Sequence, residues 1–283
     1  MRDGVTIVDD TGAVDTFSVV VTDLDGTLWQ TEDVIHPRTL AAVHTLEQAG
    51  VPLLVATGRR TTSTRAPLER LGLAPSAIVL NGALGLELAT SERFHRAPFP
   101  DGAAGRILAV FAEVGLEPCV YVDAPDAETY LGERPSTNPG HQTRLAPTAR
   151  VVPDLWHACA RVPVLAFGII GIPHGRLVPA VEQLGRIAEV HLDRSLDFPG
   201  MASLTVAPRR QSKWDGVLAY CRREGIDPGA VVAIGDGPND VELLSNAAIS
   251  LVPRGAHPSA VACADRIVGD PRDGGWADVL DLM

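Results

Sequence analysis

The sequence predicts an α/β protein, a doubly wound parallel sheet (a Rossmann-like core) interrupted by an inserted α+β domain. Two observations carry that prediction. Short β-branched runs alternate with helix-spaced segments near both ends of the chain, the order that parallel strands covered by helices require. From Gly82 to about Pro208 the alternation stops, and Gly and Pro interrupt the chain often, as in "RPSTNPGHQTRLAPTARVVPD". The expected division is 1–82 and 209–283 for the two halves of the core and 83–208 for the insertion, with residues 1–16 as an extension before the first strand.

The elements follow in order. "FSVVV" (17–21) is a β-branched run, the first buried strand. "PRTLAAVHTLEQAG" (37–50) spaces Leu40, Val43 and Leu46 as a helix does, with Pro37 near its start and Gly50 closing it. "VPLLVAT" (51–57) is a strand, "RAPLERLGL" (65–73) a short helix and "SAIVLNG" (76–82) a third strand. Inside the insertion, "LGLELAT", "EPCVYVDA", "ETYLGER" and "VLAFGIIG" are strand-like, and 102–115 and 174–188 are helical. The alternation then resumes with a helix in "SKWDGVLAYCRREG" (212–225), a strand in "AVVAIGD" (230–236), a helix in "DVELLSNAA" and a strand in "ISLVP".

A formal charge of −11 leaves no basic stripe for nucleic acid or an anionic membrane, and no apolar run is long enough to span a bilayer. A small phosphorylated ligand, held by a few donors and a cation, is compatible with that charge. Cys119, Cys159, Cys221 and Cys263 are widely spaced and lack zinc-site spacing, so they are expected as reduced packing residues of a cytoplasmic protein, a monomer or small homo-oligomer. The N-terminus has no basic region followed by an apolar one, unlike a signal peptide.

Ligands of such sheets bind at the carboxyl ends of the strands, and four polar clusters fall there. "DLDGTL" (23–28) places two aspartates before a glycine that lets the chain bend at once. "ATGRR" (56–60) offers Thr57 and free N–H groups at a helix start. Lys213 lies just inside a predicted helix, and "GDGPND" (235–240) is a carboxylate-rich turn. Each cluster alone is a common turn. Together they supply carboxylates for a hard divalent cation, a hydroxyl, backbone donors and one ammonium, an inventory suited to Mg²⁺-assisted phosphoryl chemistry.

"DLDGTL", "ATGR", the lysine of "SKWDG" and "GDGPND" resemble, in this order, the four motifs of the haloacid dehalogenase superfamily. "NGA" (81–83) and "AAISLVPRGAHPSAVACAD" (247–265) resemble its Cof-type phosphatases, which carry a large α/β cap (type IIB) between the second and third motifs. The resemblance covers about 18–83 and 205–280; the cap matches only in size and rough element order. It implies Asp23 as a nucleophile that forms an aspartyl-phosphate, and Asp25 as general acid and then base. It implies Mg²⁺ held by the carboxylates of Asp23 and Asp236 and the backbone carbonyl of Asp25. Thr57, the Gly58 N–H and Asn239 would bind phosphoryl oxygens, and Lys213, steadied by Asp240, would neutralise nucleophile and phosphoryl group together. A cap closing over the substrate would set specificity. Trp29 and Gln30 are expected in a mobile flap, Trp156 and Trp276 as packing residues, and Arg59 and Arg60 as steering or solvated charges.

The implied activity is a Mg²⁺-dependent phosphatase for a small phosphorylated metabolite, with sugar phosphates foremost. A phosphomutase is the nearer rival, and a non-catalytic phospho-ligand-binding protein the more distant one. Lys213 is the chain's one lysine beside 23 arginines. A site needing a compact point charge cannot exchange the two. Lys213→Arg is therefore expected to remove most turnover while circular dichroism shows the fold intact; near-normal activity would refute the functional reading of this lysine.

Overall fold

The computed structural model describes residues 5–8, 14–30, 34–133, 138, 140–145, 147–195 and 198–283. They form two compact units, residues 1–95 with 212–283 and residues 96–211.

In the first unit Val5–Val8 (β1) pairs antiparallel with Val14–Phe17 (β2), so part of the expected N-terminal extension is a small sheet of its own. Val19–Thr22 (β3), Pro37–Gln48 (α1), Leu53–Ala56 (β4), Thr61–Arg70 (α2) and Ser76–Val79 (β5) then alternate as the sequence implies. α1 starts on Pro37, with the His36 ring accepting the Arg38 N–H, and buries Thr39, Ala42, Val43 and Leu46. α2 begins earlier than expected. Its first turn is Thr61–Thr64, a poor helical run, but Ser63 and Thr64 turn their hydroxyls back onto the Arg60 carbonyl at 3.1 and 3.0 Å.

Leu84–Glu87 (β6) and Arg93–Arg96 (β7) follow directly, and both extend the core sheet. The compact inserted unit accordingly spans 96–211, whereas the sequence suggested 83–208. The cause is the turn at Leu80–Gly82, which folds the chain back so that β6 pairs antiparallel with β5 in the register Val79↔Leu84. Alternation in "LGLELAT" marks a strand, but not the sheet to which it belongs.

The second unit contains Ala103–Glu113 (α3), Cys119–Val122 (β8), Thr129–Gly132 (β9), Arg150–Val152 (β10), Leu155–Cys159 (α4), Val164–Ile172 (β11), His174–Leu184 (α5), Glu189–Arg194 (β12) and Ala202–Ala207 (β13). Its strands lie in the order β10-β9-β8-β11-β13-β12, mostly antiparallel. Phe99, Phe111 and Phe167 meet in its core, where Leu177 and Leu184 of α5 are also buried. The α+β character is as expected. Cys119 and Cys159 are buried here, but Trp156, expected to pack, is half exposed.

The chain returns to the first unit with Lys213–Glu224 (α6), Val231–Ile234 (β14), Val241–Asn246 (α7), Ile249–Pro253 (β15), Pro258–Val261 (α8), Arg266–Val268 (β16) and a 3₁₀ segment at Gly275–Leu282. The core sheet runs β16-β15-β14-β3-β4-β5-β6-β7, parallel from β16 to β5. β3, β4, β5 and β14 are wholly buried and, apart from Thr22 and Ser76, apolar, as strands covered on both faces must be. From β3 the chain winds first toward β4 and β5, and later adds β14, β15 and β16 on the other flank. That reversal opens a crevice at the carboxyl ends of β3 and β14.

Gly82 lets the two halves of the core meet closely. Its φ is +102°, and a Cβ there would lie 2.0 Å from the Ser212 carbonyl oxygen, just before α6. Gly82→Ala is expected to cost on the order of 2 kcal/mol or more of unfolding free energy in urea titrations, since backbone must shift; an unchanged midpoint would contradict this packing.

Candidate active site

Asp23 leaves β3 and Asp236 leaves β14, two strands that are neighbours in the register Thr22↔Ile234. The Asp23 N–H donates to the Ile234 carbonyl at 2.9 Å, so the two acidic loops start side by side. Gly26, at φ +77°, turns the first loop tightly against the second; a Cβ there would lie 2.3 Å from Asp236 Oδ2. Thr27 donates its hydroxyl to Asp236 Oδ1 at 2.9 Å, a partner that the motif reading had not identified.

Lys213 occupies the first turn of α6, whose start is fixed by a capping box between Ser212 and Asp215. Its ammonium is fully buried, 3.0 Å from Asp23 Oδ1 and 2.6 Å from Asp240 Oδ1. Burial alone would lower the pKa of Lys213, but Asp23 and Asp240 outweigh it and hold the group above its ordinary range. Asp240 has no oxygen to spare. Its Oδ2 accepts the N–H groups of Asp236 and Gly237 at 3.1 and 2.9 Å, which ties the lysine to the turn carrying Asp236. Gly235 permits this closeness, since a Cβ there would fall 2.5 Å from Asp240 Cγ.

Asp25 points its carboxylate to Arg59, which binds both oxygens, Nε to Oδ2 at 2.6 Å and Nη2 to Oδ1 at 2.5 Å. The Trp29 indole N–H adds a third donor to Oδ1 at 3.1 Å, and the Arg59 guanidinium lies 5.2 Å from the Trp29 ring centre. Of the two residues expected in a mobile flap, Trp29 is a buried partner of Asp25 and Gln30 is exposed. Arg59 likewise is a half-buried clamp. Sequence distance hid this triangle, although "WQ" directly after the first motif and "RR" after the second were its visible signals.

Thr57 and Gly58 follow β4, the other neighbour of β3. Thr57 is buried, and its hydroxyl accepts the Arg59 N–H at 3.2 Å, while Gly58 is exposed at the helix start. Asn81 links this loop to the last motif, a role that the sequence reading missed. Its N–H donates to the Thr57 carbonyl at 3.1 Å, and its side-chain oxygen accepts from Asn239 at 3.0 Å. Asn81 sits at φ 53°, a left-handed conformation that asparagine tolerates better than most residues, which is the one signal in "LNGA" that could have found it.

Among the described residues, Asp23, Asp236 and Asp240 form a group able to present three ligand atoms within 4.8 Å of one another. With Asp240 committed to Lys213 and two N–H groups, Asp23 and Asp236 are the members open to a cation. Asp23 Oδ1 is buried and faces the Lys213 ammonium at 3.0 Å without an aligned hydrogen bond. Three carboxylates against one ammonium leave two negative charges in excess, the deficit that a divalent ion fills. Without it, burial pushes Asp23 up to about 8 against the pull of Lys213. Burial and then Asp240 push Asp236 up to about 6. Oxygen donors on a carboxylate frame fit a hard cation.

The model of the haloacid dehalogenase-like hydrolases matches residues 20–154 and 178–280. Over 270 residues the chain is 25% identical to a phosphoglycolate phosphatase of Methanopyrus kandleri, covering 93% of this chain and 95% of that protein. Over 264 residues it is 25% identical to the pyridoxal phosphate phosphatase YbhA of Escherichia coli, covering 90% and 94%. The crystal structure of TM0651 from Thermotoga maritima shares the fold at a TM-score of 0.78 and 20% identity, over 95% of this chain and 98% of that one.

The raised carboxyl groups make stability depend on pH. Between the ordinary carboxyl value of 3.8 and about 8 the folded chain holds protons that the unfolded chain has released, so stability falls as pH rises through that window. Melting temperature in chelator is expected to drop from about pH 5 to about pH 8, and a divalent cation to restore more of it at the higher pH. A cation effect equal at both values would contradict the charge deficit.

Proposed function

The chain belongs to the haloacid dehalogenase-like hydrolases, in their Cof-type group, and we propose that it is a Mg²⁺-dependent phosphatase of a small phosphorylated metabolite, sugar phosphates foremost, working through an aspartyl-phosphate. The observation that carries the reading is the buried Lys213 ammonium 3.0 Å from Asp23, inside a cluster two negative charges in excess. Such a site is built for a ligand that brings a metal ion and a phosphoryl group together.

Asp23 attacks phosphorus in line, and its carboxylate oxygen forms the new P–O bond as the ester P–O bond breaks. Lys213 offsets the charge that accumulates when an anionic nucleophile approaches an anionic phosphoryl group. Asp25 gives its proton to the departing oxygen, for which it must turn from Arg59 and Trp29. It then takes a proton from the water that attacks phosphorus, breaks the P–O bond to Asp23 and releases phosphate. Thr57, the Gly58 N–H and Asn239 bind phosphoryl oxygens, and Asp240 keeps Lys213 charged and in place. The carboxylates of Asp23 and Asp236, with the Asp25 carbonyl, would hold Mg²⁺, which supplies further neutralisation of the phosphoryl oxygens.

The phosphatase names of the two relatives support hydrolysis over a mutase reaction, and both name small phosphorylated molecules. In this reading specificity resides in the 96–211 unit, nucleic acid is not a partner, and the protein works in the cytoplasm as a monomer or small homo-oligomer. No helix among the described residues is long and apolar enough to cross a membrane. Phosphate release over a metabolite panel is expected to require Mg²⁺, to fall by about a thousandfold or more in Asp23→Asn, and to need far higher Mg²⁺ in Asp236→Asn. Release that survives Asp23→Asn would sink the proposal.

A further inference from the structure

We infer that Trp276 is a positioning residue for Asp23, acting through the Thr22 hydroxyl; the inference rests on the reading of Asp23 as nucleophile. β3 ends at Thr22, and the Asp23 carbonyl lies beyond the strand. Its partner is the Thr22 side chain, whose Oγ1 donates to it at 2.7 Å. The same Oγ1 accepts the Trp276 indole N–H at 2.9 Å. Thr22 and Trp276 are both fully buried, so no solvent can substitute for either partner.

The direction of this relay is fixed by chemistry. An indole N–H can only donate, and a threonine hydroxyl has a single proton. With Trp276 occupying an acceptor position, that proton goes to the Asp23 carbonyl. The relay thereby orients the Asp23–Leu24 peptide plane, the base from which the nucleophilic carboxylate projects. In-line attack tolerates little displacement of the attacking oxygen.

The indole is itself held firmly. Asp278, two residues on, pairs with Arg38 at 2.7 Å and accepts the Gly269 N–H at 2.8 Å. Gly275 packs so closely that a Cβ there would fall 2.0 Å from the Gly269 carbonyl carbon. A segment 254 residues from Thr22 thus braces the end of β3, and a phenylalanine could fill part of that space without making the bond.

The test uses the full-length chain with saturating Mg²⁺ and p-nitrophenyl phosphate as the probe. Trp276→Phe and Thr22→Val are each expected to lower kcat about tenfold with KM within about twofold, and Thr22→Ser to remain near wild type. The double variant Trp276→Phe with Thr22→Val is expected to be no slower than Thr22→Val alone. Lower melting temperature with unchanged kcat would show that Trp276 only packs, and additive losses would show that the two residues act separately; either result overturns the inference. Should Trp276→Phe fail to fold, the contrast of Thr22→Val with Thr22→Ser decides the matter. Equal turnover by wild type and Asp23→Asn would remove the nucleophile reading and this inference with it.

Discussion

A lysine ammonium without solvent is the constraint around which the core unit is organised. Moving such a charge out of water costs several kcal/mol, and only close, well-aligned carboxylates offset that. Here Asp240 and Asp23 do so at 2.6 and 3.0 Å. Because Asp240 also takes two backbone N–H groups from the turn after β14, the same carboxylate that satisfies the lysine shapes the loop of Asp236. Helix α6, the end of β3 and the turn after β14 therefore fix one another's positions. A guanidinium, broader and planar, would need different donor directions at both carboxylates.

The scaffold supplies this meeting at its switch point. β3 lies between β4 and β14, so loops from distant parts of the chain emerge as neighbours. Glycine sets how near they come. Gly26 faces Asp236, Gly235 faces Asp240 and Gly82 faces Ser212, each with room for hydrogen only. The excess negative charge is what remains when these loops are pressed together, and it is also what equips the cluster for a cation. Stability and chemistry make opposite demands on Asp23 and Asp236: burial favours protons on them, while a metal needs them bare.

Much of this was legible in the sequence. The strand–helix alternation, the α+β insertion and the acidic turns after β3 and β14 all follow from local pattern, because parallel strands buried on both faces must be short and apolar and their loops polar. Less visible were features that depend on distant partners. The alternation in "LGLELAT" could not say that β6 joins the core sheet. Arg59 and Trp29 look like a surface charge and a flap residue until the structure brings both to Asp25. β12 has charged residues and few apolar ones, so its place beside β13 comes from tertiary pairing and not from its own pattern. Asn81 was legible only as a turn residue; its bond to Asn239 spans most of the chain.

The division of the core into two stretches of chain has a consequence for biosynthesis. Val19 pairs with Val231, so as the polypeptide leaves the ribosome β3 has β4 on one flank and nothing on the other until the last quarter of the protein emerges. The 96–211 unit is complete before then and can acquire its fold while the core sheet still lacks β14, β15 and β16. Nascent chains therefore carry an uncovered hydrophobic strand edge for most of translation, an opening for chaperone capture or aberrant pairing. Pairing β14 with β3 closes a very long loop, a cost in chain entropy that local strand pairing cannot reduce.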